Sequence, residues 1–296
     1  MVGPNTFVVG APKCGTTAVT RLLEGHPEVF VAGRKDIHFF GSDLDFCGRT
    51  PELEADYRAR FLEGAGRPAR VDSSVWMLAS TRAAAEIAAF EPAARIVVLL
   101  RHPVEAMQAL HDQLRLNGLG DENEPDFARA LALEPARAAG QDLPPGTPLP
   151  MALQYRANVR FATQLARYDA VFPREQIHVI LQDDLKRAPA ETAAALFAFL
   201  GVDPSVSAAP RAVNTRKEVR SEGLRRLIAA LPPGLKGALP AGWRVGLRRL
   251  LRRWNSRHAS RPPLDPALRA RLVAELRPEV EALERRLGRD LFAWKH

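Results

Sequence analysis

The chain has little cysteine and no long apolar run. Two cysteines, Cys14 and Cys47, occur among 296 residues, which is too few for a disulfide framework and favours a reducing, cytoplasmic location. No uninterrupted apolar run approaches membrane length, and no basic-then-apolar signal segment precedes the first predicted strand. The seven histidines and two cysteines form no pairs at zinc-ligand spacing, so we expect no metal site.

Acidic residues are outnumbered by basic ones, 34 to 42, for a net charge of +8. The excess is concentrated in the C-terminal third, where residues 222–262 interleave arginines with apolar residues, including Trp243 and Trp254. This pattern suits a basic amphipathic helix that contacts an anionic membrane or an acidic polymer, or that covers an acceptor site. The alternative is a packed cap whose arginines face water. Charge alone does not indicate a specific nucleic-acid partner.

Four apolar runs alternate with segments of helical composition, at 6–9, 70–73, 95–100 and 176–181. This alternation predicts an α/β fold, a three-layer parallel sheet flanked by helices, with ligands bound at the carboxyl ends of the strands. Further helices are expected at 155–168 and 263–287. The length suits a single domain over 1–296, in which 222–262 form a basic helical cap or insertion and 263–296 a C-terminal packing helix.

The most informative segment is FVVGAPKCGTT, residues 7–17, in which an apolar strand runs through a Gly/Pro loop into a helix. A helix start has backbone N–H groups without helical partners and a partial positive charge, so such a loop binds an anionic oxygen group. The alternative is a Gly/Pro turn that binds nothing. The predicted phosphate-binding residues are Pro12, Lys13, Cys14, Gly15, Thr16 and Thr17.

The position of the lysine indicates which donor the loop binds. In nucleotide hydrolases with the pattern GxxxxGK[ST], lysine follows the second glycine and reaches the β/γ-phosphates beside Mg²⁺. Here Thr16 follows Gly15, and Lys13 lies within the loop. The segment resembles the 5′-phosphosulfate loop of sulfotransferases that use 3′-phosphoadenosine-5′-phosphosulfate (PAPS). That resemblance implies a fold like that of P-loop nucleotide hydrolases, PAPS as the donor and adenosine 3′,5′-bisphosphate (PAP) as a product.

A second segment, ARIVVLLRHPVEAMQALHDQ at 94–113, resembles the 3′-phosphate-binding element of these sulfotransferases. In that element an arginine after the strand and a serine eight residues later hold the 3′-phosphate. Arg101 matches, but Ala109 takes the place of the serine, which removes a hydroxyl donor worth about 1–3 kcal/mol to a charged acceptor. His111 or a downstream basic loop could compensate, and the alternative for Arg101 is a pair with a surface carboxylate.

That downstream loop is VNTRKEVRS, residues 213–221. It resembles the late basic loop that closes over the nucleotide 3′-phosphate in this family. The resemblance implies that Arg216, Lys217 and Arg220 contribute to donor binding. As an isolated run of charge, the same residues would form a solvated face.

The third segment, GRKDIHFFGSD at 33–43, resembles the KExHFF stretch of heparan-sulfate-type and related bacterial sulfotransferases, in which the glutamate is the base. Asp36 takes the glutamate position, with a carboxylate about 1.5 Å further back. We predict Asp36 as the general base and His38 as the second candidate, with Lys35 assisting. The alternative is a hydrophilic turn before buried phenylalanines. Further candidates, at the end of the strand 70–73 and just after it, are Asp72, Ser73 and Ser74.

Together these motifs predict a PAPS-dependent sulfotransferase with Lys13, Asp36 and His38 as catalytic residues. The product would be an O-sulfated carbohydrate, lipid or small metabolite, formed by in-line displacement. Two alternatives are a P-loop kinase that uses ATP and Mg²⁺ and a non-catalytic basic binding protein on the same fold. The acceptor and the oligomeric state do not follow from these motifs.

Overall fold

Five parallel strands form the central sheet of this computed structural model. The structure describes residues 2–33, 36–46, 52–117, 121–206 and 263–296, together with two short strands at 217–219 and 256–258. The sheet consists of β1 (Thr6–Gly10), β2 (Val29–Val31), β3 (Ala69–Ser73), β4 (Arg95–Leu100) and β5 (Ile177–Leu181). Their order is β2-β3-β1-β4-β5. Because all neighbours are parallel, the carboxyl ends of the strands share one edge.

Helices connect and flank the strands. They are α1 (Thr16–Glu24), α2 (Glu54–Ala59), α3 (Ala83–Phe90), α4 (Pro103–Asn117), α5 (Phe127–Ala132), α6 (Glu134–Ala138), α7 (Phe161–Asp169), α8 (Gln182–Arg187), α9 (Pro189–Phe199) and α10 (Pro266–Leu287). Short 3₁₀ turns occur at Leu62–Gly64, Pro150–Leu153, Ala157–Val159, Arg174–Gln176 and Phe292–Trp294. Within the described ranges, no helix is long and apolar enough to cross a membrane. The predicted α/β class is confirmed.

The core lies around β1 and β4. Every residue of β1 is buried, and so is all of β4 except Arg95, as expected for central strands covered on both faces. The four predicted strands agree with β1, β3, β4 and β5 to within one residue at each end. The sequence prediction missed β2, because three residues at a sheet edge are too few to show a strand period.

The helix predicted at 155–168 begins only at Phe161. The chain before it forms two 3₁₀ turns, because its polar groups form hydrogen bonds with residues of other segments instead of along a continuous α-helix. Tyr155 donates to Glu122, and the backbone N–H of Arg156 donates to Glu134 at 2.8 Å. The prediction was therefore wrong for the first six residues.

The C-terminal helix α10 begins at Pro266 instead of residue 263, because Asp265 caps it by accepting from the Leu268 amide at 2.8 Å. It packs against α4 and α7. An ion pair with two 2.6 Å hydrogen bonds joins Arg286 to Asp169 of α7. The role predicted for 263–296, packing against the rest of the domain, stays a prediction for the whole segment.

Two further strands form a separate antiparallel pair, β6 (Lys217–Val219) and β7 (Ser256–His258). β6 contacts α4. β7 falls within 222–262, for which a basic helix was predicted; at these three residues the backbone is a strand because it pairs with β6. The rest of that predicted helix lies outside the described residues, as do Trp243 and Trp254.

Candidate active site

The start of α1 has a backbone suited to an anion. Gly15 precedes the helix with φ of 105°, a left-handed conformation that favours glycine. It has no side chain to cap the first amides, and no acidic residue lies in the first turn, which begins with Thr16 and Thr17. The geometry therefore matches a phosphate site at a helix N-terminus.

Lys13 lies in the loop before this helix, also in a left-handed conformation, with φ of 64°. Its Nζ donates to Oε1 of Gln113 on α4 at 2.8 Å. The amide of Gln113 in turn donates to Oδ1 of Asn117 at 2.8 Å. A residue other than glycine in this conformation costs about 1–3 kcal/mol, and such conformations concentrate at functional sites.

Sequence reasoning missed Gln113. The available signal was its spacing from Ala109, because residues four apart share one face of a helix. Ala109 stands where the family pattern has a phosphate-binding serine, so the next residue on that face was a candidate. The contact itself joins residues 100 apart in the chain, which no local pattern reveals.

Gly10, at the end of β1, is fixed by close packing. A Cβ added there would lie 2.8 Å from the carbonyl oxygen of Val75 and 2.8 Å from Cβ of Leu78. The Leu78 amide also donates to the Val9 carbonyl at 2.8 Å. The phosphate loop and the turn after β3 are therefore held against each other.

Cys14 is fully buried beneath the loop. Its thiol donates to the Pro12 carbonyl at 3.5 Å. Burial raises the pKa of Cys14 to about 12, although Arg101 and Lys13 act in the opposite direction. The thiol therefore stays protonated at neutral pH, which agrees with a small residue fitted into a turn. Cys47 lies outside the described residues.

Arg101 follows β4 and pairs with Glu105 of α4. Its Nε and Nη2 donate to Oε2 of Glu105 at 3.0 and 2.6 Å. Burial raises the pKa of Glu105, but the hydrogen bond and charge of Arg101 outweigh it and hold that pKa below its usual range. The backbone of Arg101 also hydrogen-bonds the thiol of Cys14. Arg101 thus lies beside the phosphate loop and also has the carboxylate partner considered as the alternative.

The other residues predicted to hold the 3′-phosphate lie on α4 or in the segment 213–221. Ala109 is buried on α4. His111 is buried too, and its Nε2 hydrogen-bonds the Glu124 carbonyl at 2.9 Å, so that nitrogen is committed to a backbone partner. Arg216 and Arg220 lie outside the described residues. Lys217 is in β6, and its side chain is outside them.

The turn that carries Asp36 and His38 lies at the carboxyl end of β3. Both residues have left-handed backbones, with φ of 62° and 57°. The Asp36 amide donates to the Ser73 carbonyl at 2.9 Å, and Oδ1 of Asp36 accepts from the Val75 amide at 3.3 Å. The His38 ring stacks on Phe46 with 4.4 Å between centroids. Lys35 lies outside the described residues.

Behind this turn is a chain of buried polar groups. Asp72 accepts from the Tyr57 hydroxyl at 2.7 Å and from Oγ of Ser74 at 2.6 Å. Oγ of Ser74 accepts from the His38 amide at 3.0 Å. Ser73 shares a 2.8 Å hydrogen bond with Thr20 of α1. The turn and the phosphate-binding helix are thus connected through β3.

The ends of β1, β3 and β4 therefore bring together the Lys13 loop, the Asp36–His38 turn and Arg101, because these three strands are neighbours in the sheet. In the part of the chain that the structure describes, no group of three or more His, Cys, Asp and Glu is arranged to hold a metal ion. The arrangement provides a lysine at a helix start suited to an anion, with a carboxylate and an imidazole on a turn at the end of a neighbouring strand.

The chain is similar to known proteins in sequence and in fold. A family model described as a sulfotransferase domain matches residues 3–222. The crystal structure of a sulfotransferase from Alicyclobacillus acidocaldarius is similar, with a TM-score of 0.74 and 27% identity over 100% of both chains. Heparan sulfate glucosamine 3-O-sulfotransferase 5 of Homo sapiens is 24% identical over 208 residues, 69% of this chain and 55% of that protein. The chain thus spans about half the length of this curated relative.

Proposed function

Because the chain belongs to the sulfotransferase domain family, we propose that it transfers a sulfuryl group from PAPS to a hydroxyl of a carbohydrate, lipid or small-metabolite acceptor. The position of Lys13 carries this proposal. Its ammonium lies within the loop that precedes α1, two residues before Gly15, whereas the lysine of a nucleotide hydrolase follows the second glycine. A lysine within the loop suits a donor whose transferred group is attached to one oxygen of the 5′-phosphate, because the lysine can contact that oxygen when the bond breaks.

The residues present fit such a donor. Lys13 and the backbone from Gly15 to Thr17 would hold the 5′-phosphate, because the helix start there has no acidic residue in its first turn. Arg101 would hold the 3′-phosphate, with help from Arg216, Lys217 and Arg220. The contact of β6, which contains Lys217, with α4, the helix that follows Arg101, supports a part for Lys217 in this binding. When bound, PAPS supplies the sulfuryl group and leaves as PAP.

In the proposed reaction the acceptor oxygen bonds to sulfur while the bond from sulfur to the 5′-phosphate oxygen breaks. Asp36 takes the proton of the acceptor hydroxyl, with His38 as the second candidate. The electron pair stays on the departing phosphate oxygen, where the Lys13 ammonium stabilises it. The fixed backbone of both turns places these groups before the reaction, and such positioning contributes to rate enhancement alongside electrostatic stabilisation.

We extend the proposal to location and to peripheral contacts. The low cysteine content supports a cytoplasmic location. The arginines of 222–262 support peripheral contact with an anionic membrane or an acidic polymer. Sedimentation with anionic and with neutral vesicles tests the membrane contact: binding to the anionic vesicles alone is expected. Equal binding to both, or binding to neither, would contradict membrane contact and leave the acidic polymer as the partner.

Calorimetric titration with PAP in metal-free buffer tests the donor site. We expect binding that weakens about 10- to 100-fold in Lys13→Ala and in Arg101→Ala, because each loses a charged hydrogen bond to phosphate. Arg129→Ala is the matched control, since it removes one equal charge from a side chain that is 78% exposed. Its affinity is expected to equal that of the wild type.

A parallel titration with ATP and Mg²⁺ separates the alternatives. Binding of ATP·Mg without PAP would overturn the proposal in favour of a kinase, and binding of neither would favour a non-catalytic protein. Incubation with PAPS and a panel of carbohydrates, lipids and metabolites, followed by mass spectrometry, then identifies the acceptor class. A protein that binds PAP but modifies none of them contradicts the proposed acceptors.

A further inference from the structure

One buried carboxylate near the proposed site has no part in the reaction described above. Asp72 lies at the end of β3 and is fully buried, as are its partners Tyr57 and Ser74. Burial of a carboxylate costs free energy unless hydrogen bonds compensate. Here both oxygens accept, Oδ2 from Tyr57 at 2.7 Å and Oδ1 from Ser74 at 2.6 Å.

In these hydrogen bonds Tyr57 and Ser74 are the donors and Asp72 is the acceptor. Burial and the charge of Asp72 raise the pKa of Tyr57 well above its usual range, so the phenol remains a donor. The hydroxyl proton of Ser74 is directed to Asp72, so Oγ of Ser74 is left as an acceptor for the His38 amide at 3.0 Å. The chain of donors therefore converges on Asp72 from two sides.

The turn held by this chain is under strain. Asp36 and His38 are both left-handed without being glycine, a conformation that persists only where the surroundings impose it. Three hydrogen bonds anchor the turn to the end of β3 and the residues just after it: from the Asp36 amide to the Ser73 carbonyl, from the Val75 amide to the Asp36 carboxylate, and from the His38 amide to Oγ of Ser74. Of these three, the last is the one that depends on a side chain from outside the turn.

We infer that Asp72 and Ser74 are positioning residues that hold the Asp36–His38 turn in the geometry that takes the acceptor proton. The inference rests on the proposed function. Asp72 fixes the hydroxyl of Ser74, and that hydroxyl fixes the turn. Tyr57 supports the carboxylate from the other side. The hydrogen bonds of Tyr57, Asp72 and Ser74 named here do not include the Lys13 loop, so donor binding is measured separately as a control.

The test uses Ser74→Ala, which removes the hydroxyl and little volume. Water serves as the acceptor: in oxygen-18-labelled water, a water oxygen bonds to sulfur, PAP leaves, a proton passes to the turn, and labelled sulfate is counted. We expect transfer to slow about 10- to 100-fold, since a displacement of about 1 Å in a reacting group has that effect. The dissociation constant for PAP is expected to change less than about 2-fold, because the Lys13 loop is unaltered.

Two further variants distinguish positioning from general damage. Ser74→Thr keeps the hydroxyl and is expected to recover at least about one third of the wild-type rate. Tyr57→Phe is expected to slow transfer about 3- to 10-fold through the weakened Asp72. Tyr168→Phe is the matched control, because this buried phenol donates to the Met77 carbonyl at 2.9 Å instead, and its rate is expected to equal the wild type.

Each outcome decides the inference. A wild-type rate of transfer in Ser74→Ala overturns the inference. If the same variant still binds PAP, the proposed function is unaffected. Equal losses of rate in Tyr57→Phe and Tyr168→Phe overturn it as well, because they indicate a structural effect. A wild-type chain that binds PAP but releases no labelled sulfate also overturns it. Failure of the wild type to bind PAP overturns both the inference and the proposed function.

Discussion

Two arginine–glutamate pairs differ in how far they are buried: Arg101 with Glu105 at the carboxyl edge of the sheet, and Arg137 of α6 with Glu122, which precedes α5. Arg101 meets a single oxygen of Glu105, and the two side chains are 18% and 38% exposed. Arg137 meets both oxygens of Glu122, at 2.7 and 2.8 Å, and these side chains are 2% and 0% exposed. Tyr155 also donates to Glu122, at 2.5 Å.

The difference in burial separates a structural ion pair from one whose arginine is accessible to a ligand. Burial raises the pKa of Glu122, but hydrogen bonds from Arg137 and Tyr155 outweigh it, and the pKa lies below its usual range. A charge enclosed in this way has no access to a ligand, and removal of its partner would leave it buried without a counter-charge. The pair at the sheet edge remains partly open beside the phosphate loop, so Arg101 can exchange its partner for a phosphate at small cost.

The largest effect is expected for Glu122→Gln. Arg137 would keep its buried charge without a counter-charge, which costs about 3–5 kcal/mol of unfolding free energy. Urea denaturation monitored by circular dichroism measures this loss. Glu105→Gln is the matched control and is expected to lose no more than about 1 kcal/mol. Equal losses in the two variants would remove the distinction between the pairs.

The same comparison has a pH dependence. Because the folded pKa of Glu122 lies below its ordinary value of 4.5, its contribution is present at higher pH and is lost as pH falls through the folded pKa. The difference in unfolding free energy between the wild type and Glu122→Gln is therefore expected to shrink in acid. Denaturation series from neutral pH downward check this, and a difference that grows in acid would contradict the direction assigned.

A smaller effect, a gain in affinity for PAP, is expected for Ala109→Ser. The added hydroxyl would give the 3′-phosphate a donor and tighten PAP binding about 3- to 10-fold. Calorimetry with adenosine 5′-monophosphate is the control, because that ligand has no 3′-phosphate and its affinity is expected to stay constant. An equal gain for both nucleotides would place Ala109 near another part of the ligand.

The smallest effect is expected for the affinity of the Glu105→Gln variant for PAP. Glutamine keeps an oxygen for Arg101 but removes the negative charge beside the proposed position of the 3′-phosphate, so PAP is expected to bind about 2- to 5-fold more tightly. The measurement is the same titration at low ionic strength. Weaker binding would show that the carboxylate orients Arg101 more than it competes with the phosphate.

Sequence patterns predicted the sheet and the phosphate loop because both depend on local features. β1 contains the apolar run Phe7–Val9 and β4 the apolar run Ile96–Leu100, and Lys13 lies in a short motif between a strand and a helix. The family assignment is confirmed by the match over 3–222. The roles of Lys13, Asp36, His38 and Arg101 stay predictions until the variants are measured.

The remaining features depend on contacts across the fold. Gln113 meets Lys13 over 100 residues of chain, and Tyr57 meets Asp72 from a separate helix. Asp72 and Ser74 were expected near the site as residues at the end of a strand, but their burial beneath the Asp36–His38 turn was not. Hydrogen-bond direction and burial arise only when the elements pack, so no periodicity in the sequence encodes them.

The close approach of Gly10 to Val75 has a consequence for the choice of acceptor. The Val75 amide holds the Asp36 carboxylate at 3.3 Å, while a Cβ on Gly10, three residues before Lys13, would lie 2.8 Å from the Val75 carbonyl oxygen. If Asp36 takes the acceptor proton and Lys13 stabilises the leaving group, as proposed, these backbone contacts would set the spacing between the two groups before any substrate binds. An acceptor hydroxyl that projects far enough to reach both groups would then react faster than a recessed hydroxyl of the same chemistry.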